Sequence, residues 1–227
     1  MLRFMPVGDS MTIGSAGEHT WRHRLWQHLC ATYGGPFTFV GPREALYDKT
    51  ADAPTSYAYA DPGFPRAHLA GWGEGWLHMA PLIGGAVREY RADVLLVSLG
   101  LIDLGFYTSA EQTAENVRAF VAGAREANPH VRMVLLPVIP NIRAEADALF
   151  AAQVDLFNAL LAKAAADLDE PRSPLLLASP PKSYDIHADT YDGTHPNASG
   201  EHGIAGAFAG AMWEAWGVGQ PYAAGTS

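Results

Sequence analysis

The chain has 227 residues, 48% of them hydrophobic and 17% charged, enough apolar material for one domain with a substantial core. Its formal net charge of -9 disfavours nucleic acid or an anionic membrane as partner and leaves a small neutral molecule as the easier substrate. The single cysteine, Cys30, excludes an intrachain disulfide, and its place among Trp26, Leu29 and Tyr33 predicts a buried, inert thiol.

Leu2 to Val7 is a short apolar run closed by Gly8, which predicts a buried parallel strand. Met1 leads almost directly into it and leaves no room for a leader. No uninterrupted apolar stretch approaches the roughly 20 residues that a membrane helix needs, so a cytoplasmic protein is the expectation. Thr20 is placed to cap a helix through Leu29, with Trp21, Leu25, Leu29 and Cys30 on one face. His19 and His23, four apart on that helix, lack the neighbouring glutamate of a zinc-protease helix and read as structural. Phe37 to Val40 is a second strand, and Arg43 to Gly75, rich in Pro, Gly, Ala, Tyr and Asp, reads as one long functional loop.

Trp76, His78, Met79, Leu82 and Ile83 predict a helix ended by Gly84-Gly85 or soon afterwards. Asp93 to Leu99 is the clearest strand, its lack of alternation implying cover on both faces. Ser109, with Gln112 three residues on, starts a helix that runs to about Ala127, where Asn128-Pro129 breaks it. Val131 to Ile139 is a further strand region, Ala144 to Leu168 a long alanine-rich helix, and Leu175 to Ala178 a short last strand. A final helix runs from Ala198 or Ser199 to Trp216. Strands alternating with helices imply a single α/β domain over 1–219, a three-layer α/β/α sandwich with about five mostly parallel strands, followed by a flexible tail at 220–227.

Chemistry concentrates at the two ends. Ser10 stands where the first strand stops, in Gly8-Asp9-Ser10-Met11-Thr12-Ile13-Gly14, the place at which a parallel sheet presents groups to ligands. Asp192-Gly193-Thr194-His195-Pro196-Asn197 supplies an imidazole and a carboxylate on a loop before the last helix. Ser10 as nucleophile, His195 as general base and Asp192 as its orienting partner make up a serine hydrolase set. A rival grouping of Asp185, His187, Asp192 and His195 as metal ligands leaves Ser10 unexplained, so no metal and no cofactor are expected. Asn197-Ala198-Ser199 also spells a glycosylation acceptor, which matters only in a secreted protein. Trp72 and Trp76, with Tyr57, Tyr59, Phe64 and Phe106, fall near loops that would rim the site. Thr12, Trp72, Phe106 and Asn141 are the candidate substrate contacts.

These motifs, with Ala70-Gly71-Trp72 and Leu99-Gly100-Leu101-Ile102-Asp103 between them in the right order, resemble the SGNH hydrolases, also called GDSL esterases and lipases. The resemblance implies a flavodoxin-like sheet, the same three catalytic residues, and ester or thioester hydrolysis through an acyl-enzyme. It also implies an oxyanion hole built from the backbone N–H of Ser10, the backbone N–H of Gly71, with Gly73 the nearest alternative, and an asparagine amide. That asparagine belongs to a Gly-x-Asn-Asp block, and this chain has Ile102 in its place, which has no side-chain donor. Asn141, or a backbone amide near Leu101, is the candidate replacement. The gap also suits an activated ester or thioester, or drift towards acyl transfer to an alcohol or amine or towards binding, although retention of Ser10, Asp192 and His195 argues against complete loss of chemistry.

Overall fold

The computed structural model describes residues 1–181 and 183–223. Strand β1 (Leu2–Gly8) buries Phe4, Met5 and Val7, so both of its faces are covered. One turn of helix, α1 (Ser10–Ile13), follows at once, capped by the Asp9 side chain. Helix α2 (Thr20–Thr32) turns Trp21, Leu25 and Leu29 to the core. Cys30 lies one residue, about 100°, beyond that stripe and is exposed, against the expected burial. Nor is Thr20 a side-chain cap: its φ is +73° and its hydroxyl has no partner among the described residues, while its N–H donates to Glu201 on the last helix.

After β2 (Phe37–Phe39), the stretch expected to be one loop contains an antiparallel pair, β3 (Leu46–Asp48) and β4 (Ala53–Ser56), and a two-residue strand, β5 (Leu69–Ala70). Helix α3 (Trp76–Tyr90) then runs straight through Gly84-Gly85. The lack of a side chain at Gly84 lets its backbone approach Gly123, so that glycine marks close helix packing and not a stop. Strand β6 (Val94–Ser98) and helix α4 (Ala110–Ala127), capped by Ser109, follow as expected, with a π-helical turn at Asp103–Tyr107 between them.

Strand β7 (Arg132–Leu136) leads to a region where one long helix was expected and two occur, α5 (Ile142–Ala146) and α6 (Ala148–Leu168). Asp147 divides them by accepting from the N–H groups of Leu149 and Phe150. By length and composition alone α6 is apolar enough to cross a membrane; in this fold Phe150, Val154, Phe157 and Leu161 point into the core. Strand β8 (Leu175–Leu177), a short helix α7 (Ile186–Asp189) and α8 (Ala198–Trp216) complete the chain. The start of the expected tail is docked: Tyr222 meets His202 Nδ1 at 2.7 Å and Gln220 O meets His28 Nε2 at 3.0 Å. Residues 224–227 lie outside those described.

The parallel strands stand in the order β2-β1-β6-β7-β8, with β5 continuing beside the C-terminal end of β1. Helix α2 packs with α8, and α3 and α6 each pack with α4, giving the three-layer flavodoxin-like sandwich. Strand order reverses at β1 and β6, so the ligand crevice of such a sheet opens beyond their carboxyl ends, where Ser10 and Leu101–Asp103 lie.

The turn carrying Ser10 is held from behind by a fully buried arginine. Arg22 donates to the carbonyls of Thr12 (2.8 Å), Ile13 (3.0 Å) and Arg66 (2.8 Å), and to the Tyr59 hydroxyl (3.1 Å). Arg22→Leu would leave three carbonyls without this donor, and we expect it to destabilise the fold by about 3 kcal/mol or more. Urea denaturation measures this; an unchanged midpoint would contradict the role given to Arg22.

Candidate active site

The structure brings the two ends of the chain together. Ser10 Oγ lies 2.9 Å from His195 Nε2, and His195 Nδ1 lies 2.7 Å from Asp192 Oδ2. The carboxylate can only accept, so Nδ1 carries the proton and Nε2 is left to accept from the serine hydroxyl. Local hydrogen bonding fixes this arrangement. Asp192 Oδ1 accepts from the backbone N–H groups of Thr194 (3.0 Å) and His195 (2.8 Å), so the loop folds around the carboxylate that faces the ring. Burial pushes the Asp192 carboxyl up, but the His195 backbone and ring bonds, with help from Thr194, outweigh it and hold the group below the usual carboxylate range.

Two aromatic rings stack on the imidazole. Trp72 stacks on His195 with centroids 4.9 Å apart and planes 13° apart, and Tyr191 stacks on it at 5.7 Å and 15°. Tyr47 continues the stack behind Trp72 at 3.8 Å. This restricts ring rotation and presents the electron-rich faces of two aromatics to the positive charge that forms when the ring takes a proton.

Ser10 and His195 open onto a cavity of about 330 Å³ walled by Leu101, Ile102, Phe106 and Phe150, with Trp72, Asn141, Arg143 and Thr194 at its edges. Trp72, Phe106 and Asn141 therefore stand where substrate contacts were expected. Thr12 does not: it is fully buried behind the serine, with its Oγ1 accepting from Trp21 Nε1 at 3.3 Å. Of the other expected rim aromatics, Trp76, Tyr59 and Phe64 belong to the core. Phe150 and Arg143, which the sequence reading missed, come from the unrecognised break between α5 and α6; the Arg143 guanidinium lies 4.2 Å over the Phe150 ring.

Gly71 is also corrected. Its N–H donates to Gly8 O at 3.1 Å, extending the β1–β5 pairing, and it lies outside the cavity wall. Gly73, with φ +72°, is on that wall, and its N–H has no partner among the described residues. The N–H of Ser10, at the first position of α1, is likewise free. Ile102 lines the cavity and offers no donor. Its neighbour Asp103 has a different task, accepting from Trp76 N (2.8 Å) and Leu77 N (3.0 Å) at the start of α3.

The rival metal grouping is dispersed. Asp185 caps α7 and the His187 ring faces Glu145 at 3.3 Å. Among the described residues no group of three or more His, Cys, Asp or Glu side chains is arranged to hold a metal ion. Asn197, the glycosylation-like asparagine, caps α8 through Ser199 and Gly200.

A model of the GDSL-like lipase/acylhydrolase family matches residues 7–202. No curated protein matches the chain in sequence. Among solved structures, an acetyl esterase mutant with acetate ion and a carbohydrate esterase family 3 protein from Talaromyces cellulolyticus each superpose with a TM-score of 0.76 at 23% identity, covering 94% of this chain and 97% of theirs. A family 3 carbohydrate esterase from Clostridium thermocellum gives 0.73 at 19% identity, covering 94% and 96%. At these identities the likeness is one of fold.

Beside the serine, Asp9 is buried, with Oδ1 accepting from Met11 N at 3.0 Å and Oδ2 unpartnered among the described residues. Burial, with the Asp103 charge adding to it, pushes its carboxyl up to about 7. The folded state thus holds a proton that the unfolded chain loses near pH 4, and stability falls as pH rises from there to about 7, by at most about 1.4 kcal/mol per pH unit. Asp9→Asn keeps the acceptor for Met11 and removes the titration. Its unfolding free energy should gain on the parent protein steadily across that window in urea denaturation, and parallel profiles would contradict the assignment.

Proposed function

This chain belongs to the GDSL-like lipase/acylhydrolase family and is an ester-hydrolysing enzyme, and we propose that it cleaves carboxylic esters or thioesters of short acyl groups through an acyl-enzyme on Ser10. The observation that carries this reading is the continuous hydrogen-bonded line from Asp192 through His195 to Ser10, at 2.7 and 2.9 Å. His195 Nε2 takes the hydroxyl proton as Oγ bonds to the carbonyl carbon, and Asp192 stabilises the resulting imidazolium. The carbonyl electron pair moves to oxygen, which accepts from the N–H groups of Ser10 and Gly73, both on the cavity wall and both without a partner among the described residues. Collapse breaks the ester bond, and the leaving alkoxide carries away the proton from His195. Water then repeats the sequence on the acyl-enzyme and regenerates Ser10.

Two features support a short acyl group and water as acceptor. A cavity of about 330 Å³ is at the small end for ligand sites. Solvent reaches the catalytic loop, since the His195 and Asp192 side chains are 18% and 43% exposed. One structural neighbour, an acetyl esterase mutant with acetate ion, agrees with this size of substrate. We propose an ester whose acyl part meets Leu101, Ile102, Phe106 and Phe150 while its alcohol part faces solvent.

A series of nitrophenyl esters tests the proposal. Acetate and butyrate should be cleaved, octanoate at least about tenfold less efficiently by kcat/KM, and Ser10→Ala should lose a factor of about 10³ or more on all of them. Unchanged turnover in Ser10→Ala would remove the mechanism, and preference for octanoate would remove the assigned substrate size.

A further inference from the structure

We propose that the Asn141 side-chain amide is the third oxyanion donor of this enzyme, taking over from the asparagine that Ile102 displaces. This rests on the acyl-enzyme reading above. Asn141 is 2% exposed and lies on the wall of the cavity that holds Ser10 and His195. Its Oδ1 accepts from Ala144 N at 3.0 Å, the first turn of α5. Because Ala144 N–H is a donor, the oxygen has to occupy that side, and the amide orientation is fixed with Nδ2 opposite. Among the described residues the one partner of Nδ2 is Ile139 O at 3.4 Å, the far limit of a hydrogen bond. A primary amide has two N–H groups, so at least one remains for a ligand in the cavity.

The segment that carries Asn141 is braced as a catalytic group requires. Asn158 on α6 clamps Val138 with two 2.9 Å bonds, one to its N–H and one from Nδ2 to its carbonyl. On the other side Ile142 N donates to Gly193 O at 2.7 Å, tying the start of α5 to the loop that holds Asp192 and His195. The amide, the base and the nucleophile are therefore registered against one another. As Ser10 Oγ bonds to the carbonyl carbon and the π pair moves to oxygen, that oxygen accepts from Ser10 N–H, Gly73 N–H and Asn141 Nδ2. The sequence supplies the same chemical group as the family's asparagine, from the loop after β7 in place of the loop after β6.

The test uses Asn141→Ser and Asn141→Asp, because both keep an oxygen to cap α5 and neither keeps an amide donor, with Asn141→Ala alongside. On a nitrophenyl acetate assay kcat should fall by about 10² to 10³ in the capped variants, with KM within about threefold and the urea midpoint close to the parent's. The affinity of a short alkylboronate, which mimics the tetrahedral adduct on Ser10, should fall together with kcat. Ile102→Asn alters the wall that meets the acyl group and should bring no gain in kcat, since the donor's place is already filled. A folded Asn141→Ser variant with kcat within about threefold of the parent, or a tenfold or greater gain in Ile102→Asn, would overturn the proposal. Those failures are distinct from failure of the underlying reading, in which Ser10→Ala itself would remain active.

Discussion

The site depends on one hydrogen bond between residues 185 positions apart, His195 Nε2 with Ser10 Oγ. Closing a loop of that length is entropically costly, and the bond itself contributes only about 1 kcal/mol, so it reports a geometry set by the core and does not create it. The sheet delivers Ser10 at the end of β1. Helix α8, joined to α2 through the buried Glu201 with Arg24 at 2.9 Å, delivers the loop that precedes it. What remains local is the orientation of the ring, and that is supplied by the turn around Asp192 and by the two aromatic faces of Trp72 and Tyr191.

Buried polar groups without opposite charges do much of the positioning. Arg22 spends its donors on backbone carbonyls, and Asp103 spends both oxygens on the first N–H groups of α3. Gly75 has to be glycine because a Cβ there would occupy the space of the Asp103 carboxylate. This explains how the third block tolerates isoleucine beside an acid. The acid of the pair anchors a helix, a task no neighbour can assume, whereas an amide aimed into a cavity can come from any loop that borders it. A catalytic donor is thus easier to relocate than a structural cap.

Much of this was legible in the sequence. The unalternating strands at Leu2 to Val7 and Asp93 to Leu99, the cap at Ser109 and the helix up to Trp216 follow from pattern and turn chemistry, and the parallel order follows from their alternation with helices. The residues gathered at the site were legible because Ser10, Asp192 and His195 stand in short segments with specific spacing. Pairings that carry no period were not legible. The two-residue strand Leu69–Ala70 lies in a Pro- and Gly-rich stretch, and its ladder bond is what diverts Gly71 and leaves Gly73 facing the cavity. The break at Asp147 was hidden in an alanine-rich run, and with it the approach of Arg143 and Phe150. Nothing local in the sequence announces that four backbone and hydroxyl oxygens converge on Arg22.

The central claim is that a late imidazole activates an early hydroxyl, and covalent capture tests it most directly. A fluorophosphonate followed by intact-mass and peptide mass spectrometry should add one phosphonyl group per chain, on Ser10, and the modification should slow by orders of magnitude in His195→Ala while the protein remains folded. Label on another residue, or undiminished capture of Ser10 without His195, would contradict the account.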